Sequence, residues 1–336
     1  MACYGKEVSD VALKIGLHAG PQDCSYQDLR RIWHMADASG FHWVSVWDHF
    51  YESPVIDGRS PCFEGVSIMT ALAAETRNVR VGCLVFCVGT RSPGLLAKAA
   101  VTIDHVSNGR LELGIGYGPW EPEYRAYGHE FPPLKTQMDV LEEGCQVIRS
   151  MMHNETTTFE GRHFQVRDAR VFPRPVQDPP RLWIAGIGEK RILPMVARYA
   201  DGWNATYITT EAFKSKSRLL DGLCEAEGRD PSEVIRSANV GFYMGADEKS
   251  ALRKRREFER VWAHGESGPD DPKFDESRDY LSEFEQGMIF GTANDAIERI
   301  GALADAGADQ VNISVRAPFD WDGLQAFVED VMPAFN

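Results

Sequence analysis

Residues 93–118 read PGLLAKAAVTIDHVSNGRLELGIGYG, and they hold one full unit of the fold. Residues 93–105 have helical spacing, Asn108-Gly109 places a glycine where a helix stops, and 111–116 is a short apolar run that reads as a strand. Glycine then stands at every second place, at Gly114, Gly116 and Gly118, where a bare backbone lets another group approach closely. Helix, stop, strand and glycine-rich exit are the parts of an alternating α/β protein.

The alternation continues in both directions. Upstream, strands are expected at 12–19, 43–48 and 79–86, with helices at 26–38 and 65–76. Downstream, a helix at 134–152 leads to strands at 181–185, 203–207, 237–244 and 310–315. Helices at 190–199, at 211–227, from about 247 and at 294–306 lie between them. Eight strands joined by helical crossovers imply a parallel sheet, and eight units close into a (β/α)8 TIM barrel. An open doubly wound sheet fits less well. No GxGxxG follows the first strand, and no acidic residue is placed to hold a ribose after the second. Two stretches break the rhythm and read as insertions in one domain spanning 1–336. One, about 154–180, is proline-rich; the other, about 264–281, is polar and contains Gly268-Pro269-Asp270-Asp271-Pro272.

The net charge of −14 repels nucleic-acid phosphates and anionic lipid, so neither is expected as a partner. No apolar run approaches membrane-spanning length, and the first residues lack the basic-then-apolar order of a secretory signal. The seven cysteines are odd in number and form no CxxC pair. They fit reduced thiols in the cytoplasm better than a disulfide framework or a zinc site, and no metal is expected.

In a TIM barrel the chemistry sits at the C-terminal ends of the strands. The second expected strand ends in Trp47-Asp48-His49, which puts a carboxylate and an imidazole side by side where the chain leaves the barrel. An imidazole passes protons near neutral pH. The plainer alternative is a turn-capping Asp48 and a buried, hydrogen-bonded His49. The fourth strand runs out through Gly114, Gly116 and Gly118 to Pro119, Trp120, Glu121 and Glu123; that carboxylate pair can border the site. The fifth leads into Gly186-Ile187-Gly188, followed by Lys190 and Arg191. Free N–H groups where a strand passes into a helix make an anion site. A tight turn with solvated side chains is the alternative for both glycine loops.

These motifs, in this order, resemble the luciferase-like monooxygenase superfamily, in particular its coenzyme F420-dependent oxidoreductase branch. The resemblance rests on Val46-Trp47-Asp48-His49 and on the block from Leu95 to Gly116. It continues through Glu121 to Gly128, Phe159-Glu160-Gly161, Pro173-Arg174-Pro175, Trp183-Ile184-Ala185-Gly186 and Ala200 to Asn204, and so covers nearly the whole chain. It implies a barrel with insertions, and Asp48 and His49 facing the ring of the cofactor. It implies a non-prolyl cis peptide behind the ring near Leu84 and Val85, and the bare backbone at Gly116 and Gly118 is expected to bind the cofactor as well. Gly186, Ile187 and Gly188 would cradle the cofactor phosphate. Homodimers are common in the family. One departure stands out: members that oxidise a sugar phosphate carry a glutamate where this chain has Pro119, which argues against that substrate.

The activity the resemblance implies is hydride transfer between coenzyme F420 and a small organic substrate, with His49 exchanging the proton and Asp48 beside it. An FMN-dependent monooxygenase using reduced flavin and oxygen is the alternative. A catalytically silent flavin-binding barrel is the third, and the Asp48-His49 pair and the glycine loops argue against it.

Overall fold

Every second residue of the central apolar runs faces a layer of helices, and the others face one another across a barrel. The computed structural model describes residues 13–51, 58–118, 120–262 and 285–335. In chain order the first half holds β1 (Lys14–Ala19), α1 (Tyr26–Ala38), β2 (Trp43–Val46), α2 (Gly65–Glu75), β3 (Arg80–Cys87), α3 (Pro93–Val106), β4 (Leu111–Gly116), α4 (Glu121–Ala126) and α5 (Leu134–His153). A hairpin of β5 (Thr157–Glu160) and β6 (Gln165–Ala169) follows. The second half holds β7 (Arg181–Ala185), α6 (Ile192–Tyr199), β8 (Gly202–Thr206), α7 (Thr210–Ala226), β9 (Ile235–Met244), α8 (Glu248–Trp262), β10 (Met288–Gly291), α9 (Ala293–Asp305), β11 (Gln310–Val315) and α10 (Trp321–Ala326). Among the described residues, no helix is long and apolar enough to cross a membrane.

The strands β1, β2, β3, β4, β7, β8, β9 and β11 pair in parallel, and β11 returns to β1, so eight strands close the barrel. The barrel expected from the alternation is the one observed. Two features were not expected. The 154–180 stretch carries the β5–β6 hairpin, and β10 adds a ninth parallel strand. β8 pairs β9 only as far as Asn239, and β10 takes its place from Gly241 to Met244, so the wall is extended in that sector. The other expected insertion, 264–281, lies outside the described residues.

The outward faces make the main core. Leu17, Val44, Val81, Leu113, Ile184, Val240 and Ile313 are all buried against helices, and each such side chain contributes ~1.5–3 kcal/mol. Helix starts follow local chemistry: Ser25 and Asp28 close a capping box at α1, an arrangement worth ~1 kcal/mol. After α3 the chain turns through Asn108 (φ 55°) and Gly109 (φ 81°), the left-handed pair the Asn-Gly signal announced.

The inward faces are unusual for a barrel, whose interior more often holds branched aliphatics. Trp43 and Trp183 fill the interior with ring centroids 4.9 Å apart. A Cβ at Gly82 would overlap the first indole, and one at Gly202 the second. Below them Glu112 is buried with Arg80, Arg181 and the Trp183 Nε1–H as partners. Beside them runs a ladder of amides: Gln310 donates to Asn312 (2.7 Å), and Asn312 and Asn204 both donate to Asn239 (2.8 and 2.9 Å). The interior is thus filled by indoles and hydrogen-bonded polar side chains, which leaves the mouth as the place for a ligand.

Candidate active site

The mouth is built from the C-terminal exits of the strands. β2 leaves the barrel at Val46, and the next three residues part company. Trp47 stays inside, lying flat where a side chain on Gly20 would be, and its Nε1–H donates to Gln22 (2.6 Å). The Asp48 side chain is fully enclosed. One of its oxygens accepts from the Arg91 Nε–H (2.9 Å) and the Cys87 N–H (3.1 Å), and the other pairs with the same guanidinium. Arg91 also reaches Glu64 at 2.8 Å. Burial pulls the Arg91 pKa down, but the bonds to Asp48 and the charges of Asp48 and Glu64 outweigh it and hold the guanidinium above its ordinary value. Asp48 therefore ties the β2 exit to the β3 exit, and its carboxylate is already committed.

His49 points elsewhere. Its Nδ1 lies 2.9 Å from Glu123 Oε2, and its ring meets Trp120 edge-on at 6.1 Å. Glu123 sits on α4, 6% exposed. Its other oxygen accepts the N–H groups of Phe50 (2.9 Å) and Tyr51 (3.1 Å). Three donors hold this carboxylate, and it fixes the imidazole with Nε2 turned away from the pair. A carboxylate-backed imidazole is the arrangement that orients a proton carrier.

The β3 exit is irregular. The Leu84–Val85 peptide is cis, as the resemblance implied, and the pairing with β4 slips there. From Cys83 to Phe86 β3 advances three residues while β4 advances two, from Leu113 to Ile115. The glycines of β4 make room for this bulge. A Cβ at Gly114 would overlap the Cys83 carbonyl, and one at Gly116 would overlap the Val85 side chain. The bare backbone at Gly116 thus admits Val85 from the neighbouring strand. Gly118 is looser, with Cys87 Sγ 3.6 Å from where its Cβ would stand, and its N–H donates to that sulfur. The Cys87 thiol also meets the Tyr124 hydroxyl at 2.8 Å. Burial and the neighbouring Cys87 push that phenol far above its ordinary range, so it stays protonated.

The β7 exit holds the expected anion loop in altered form. Gly186 has φ +128°, open to glycine, but its N–H donates to the Asn204 carbonyl (3.0 Å). The N–H groups of Ile187, Gly188 and Glu189 make no hydrogen bond among the described residues and precede α6. Arg191 is spent on Asp139 and Glu142, while the exposed Lys190 side chain makes no ion pair among the described residues.

Sequence reasoning placed Asp48, His49, Gly116, Gly118 and Gly186 to Gly188 at one end of the barrel, and the structure brings them there. It left Glu123 as one of two bordering acids and did not find Arg91. The signal for Glu123 was a carboxylate soon after the β4 glycines. Arg91 had none, because its partner is 43 residues away.

Residues 11–310 match the model of the luciferase-like monooxygenase family, and the chain belongs to that family. The F420-dependent glucose-6-phosphate dehydrogenase of Amycolatopsis mediterranei (strain U-32) is 27% identical over 335 residues, covering 96% of this chain and 98% of the relative. The protein of that name from Kineococcus radiotolerans is 30% identical over 252 residues, covering 73% and 72%. Among solved structures, an F420-dependent secondary alcohol dehydrogenase in complex with an F420-acetone adduct superposes with a TM-score of 0.83, covering 97% of this chain and 99% of the other at 21% identity. That likeness speaks for the fold.

Proposed function

We propose that the chain is an oxidoreductase moving a hydride between coenzyme F420 and a small organic substrate, an alcohol or a carbonyl compound. The observation that carries this reading is the His49–Glu123 pair at the barrel mouth, because hydride transfer to or from such a substrate moves a proton as well. Relatives at 27% and 30% identity, named as F420-dependent dehydrogenases, support the choice of cofactor. So does the chemistry of the β7 exit: N–H groups at Ile187 and Gly188, unpaired among the described residues and ahead of a helix, suit a phosphate.

Bound there, the deazaflavin would supply a ring carbon that gives or takes the hydride. Leu84, Val85, Gly116 and Gly118 would back the ring. Gly186 would shape the loop while Ile187 and Gly188 donate to the phosphate. His49 would hold or release the proton at Nε2, with Glu123 fixing the ring through Nδ1. Asp48 would act as a positioning residue, holding the β2 and β3 exits together through Arg91. The sugar phosphate in the relatives' names is not carried over, since Pro119 replaces the acid expected for it. We place the chain as one domain in the cytoplasm, where the six cysteines of the described residues, all unpaired, would stay reduced. We also infer a homodimer.

The test is a titration with coenzyme F420 and with FMN, followed by anaerobic turnover with a panel of alcohols and ketones. F420 is expected to bind more tightly, turnover to need no oxygen, and Gly188→Asp to weaken binding at least ~tenfold by bulk and charge at the anion loop. Tight FMN binding with oxygen-dependent product would mark a flavin monooxygenase instead.

A further inference from the structure

His18 stands apart from the machinery just described. It is the last inward residue of β1, two places on from Gly16, whose missing Cβ leaves room for the Asn312 side chain inside the barrel. The residue is 6% exposed. Its Nδ1 is held by the Ser45 hydroxyl on β2 at 2.8 Å. Its ring lies against Trp47, with centroids 4.9 Å apart, and the Arg316 guanidinium sits over the same indole at 5.4 Å. With one nitrogen anchored and the ring pinned, the direction of Nε2 is fixed, and among the described residues no group bonds to it. Ser314, its register partner on β11, is 6% exposed, and its hydroxyl has no hydrogen-bond partner. On neighbouring strands ~4.8 Å apart, a buried hydroxyl at Ser314 and the free nitrogen of His18 thus have no hydrogen-bond partner among the described residues. Buried polar groups in native proteins are normally satisfied.

We propose that His18 is a substrate-binding residue: its Nε2, backed by Ser45 and seconded by Ser314, takes a second, uncharged oxygen of the substrate, a hydroxyl or carbonyl, on the β1–β11 side of the mouth. The reacting oxygen belongs to His49, which follows Trp47 by two residues on the adjoining strand exit. Burial, then the nearby Arg316 charge, press the His18 imidazole down to about 3, and only the Ser45 bond raises it. The ring is therefore neutral at physiological pH, which matches it to an uncharged oxygen and not to a carboxylate. The substrate class is accordingly a hydroxylated ketone or a diol. This rests on the hydride-transfer reading for the choice of probes.

The experiment uses the full chain labelled with 15N-histidine, with and without coenzyme F420, and two probes of similar shape, cyclohexanone and 4-hydroxycyclohexanone. The hydroxylated ketone is expected to shift the His18 Nε2 resonance and to bind ~tenfold more tightly than cyclohexanone, the scale of one hydrogen bond to a neutral group. His18→Phe should erase that preference, visible in KM more than in kcat, and His18→Gln should restore part of it. Ser45→Ala should blur it by freeing the ring, which covers the case in which a His18 variant does not fold. Movement of the His49 resonances with His18 unmoved, or a preference that survives in His18→Phe, would overturn the proposal. Failure of F420 to bind overturns the cofactor reading alone, because the His18 resonance is also read without cofactor.

Discussion

His49 and Glu123 work as one unit, since the ring is aimed by the carboxylate and the carboxylate is held by the backbone of the loop that carries the ring. Glu123→Gln keeps the size and removes the charge. It is expected to lower kcat by ~10–10²-fold, the usual cost of losing an orienting partner, with the cofactor dissociation constant nearly unchanged. His49→Ala should go further, by ~10²–10⁴-fold. Rapid-mixing kinetics beside a cofactor titration separates the two effects, and a Glu123→Gln enzyme with full kcat would remove the pair from the mechanism. Asp48 should behave differently although it is the adjacent residue. Asp48→Ala leaves Arg91 with only the half-exposed Glu64 as a charged partner among the described residues. A loss of roughly 2–4 kcal/mol in urea unfolding is expected, somewhat below the full range for a broken buried pair because Arg91 keeps some solvent. Wild-type stability in that variant would show that Asp48 does not tie the two exits together.

At the scale of elements, the β3–β4 pair shows how glycine spacing has to be read. Alternating glycines announced close approach but did not say of what. At Gly114 and Gly116 the approaching group is the neighbouring strand, and only Gly118 has ordinary clearance. Gly114→Ala is therefore expected to destabilise by at least ~1–3 kcal/mol, as overpacking against a backbone carbonyl must, while Gly118→Ala stays within ~1 kcal/mol. Thermal melts of the two single variants check this, and equal melting temperatures would refute the packing account. The barrel strands were legible because each shows an apolar run bounded by turn residues. β5 and β6 were not, because their side chains are largely exposed and carry little apolar pattern. β10 was missed because Met288–Gly291 is only four residues long and runs straight into a helix. His49 could be found from its place at a strand end. Arg91, Glu123's precise partner and the His18–Ser45 bond could not, since each depends on which strands become neighbours.

For the whole molecule, assembly is best approached through α3. Leu95 is 74% exposed, and Lys98, one turn on, bonds the carbonyl of Phe172, itself 51% exposed. Val176 lies on the same segment, tied to α3 through Asp104. A run of exposed apolar side chains on one helix and the segment laid along it suits a self-complementary interface. Light scattering at micromolar concentration is expected to give twice the chain mass, and Leu95→Asp with Phe172→Asp to shift it toward the monomer. A monomeric wild type would refute the dimer. The interior bears on the molecule in another way. Trp43 and Trp183 stand on β2 and β7, with β3 and β4 between them in the wall, and meet across the barrel interior. Two indoles 4.9 Å apart with planes inclined by 43° are coupled chromophores, and their shared transition is chiral. The curl of the β2–β3–β4–β7 wall is thereby written into the ultraviolet optical activity of the chain, a native signal expected to vanish when those strands flatten or part, whatever helix remains.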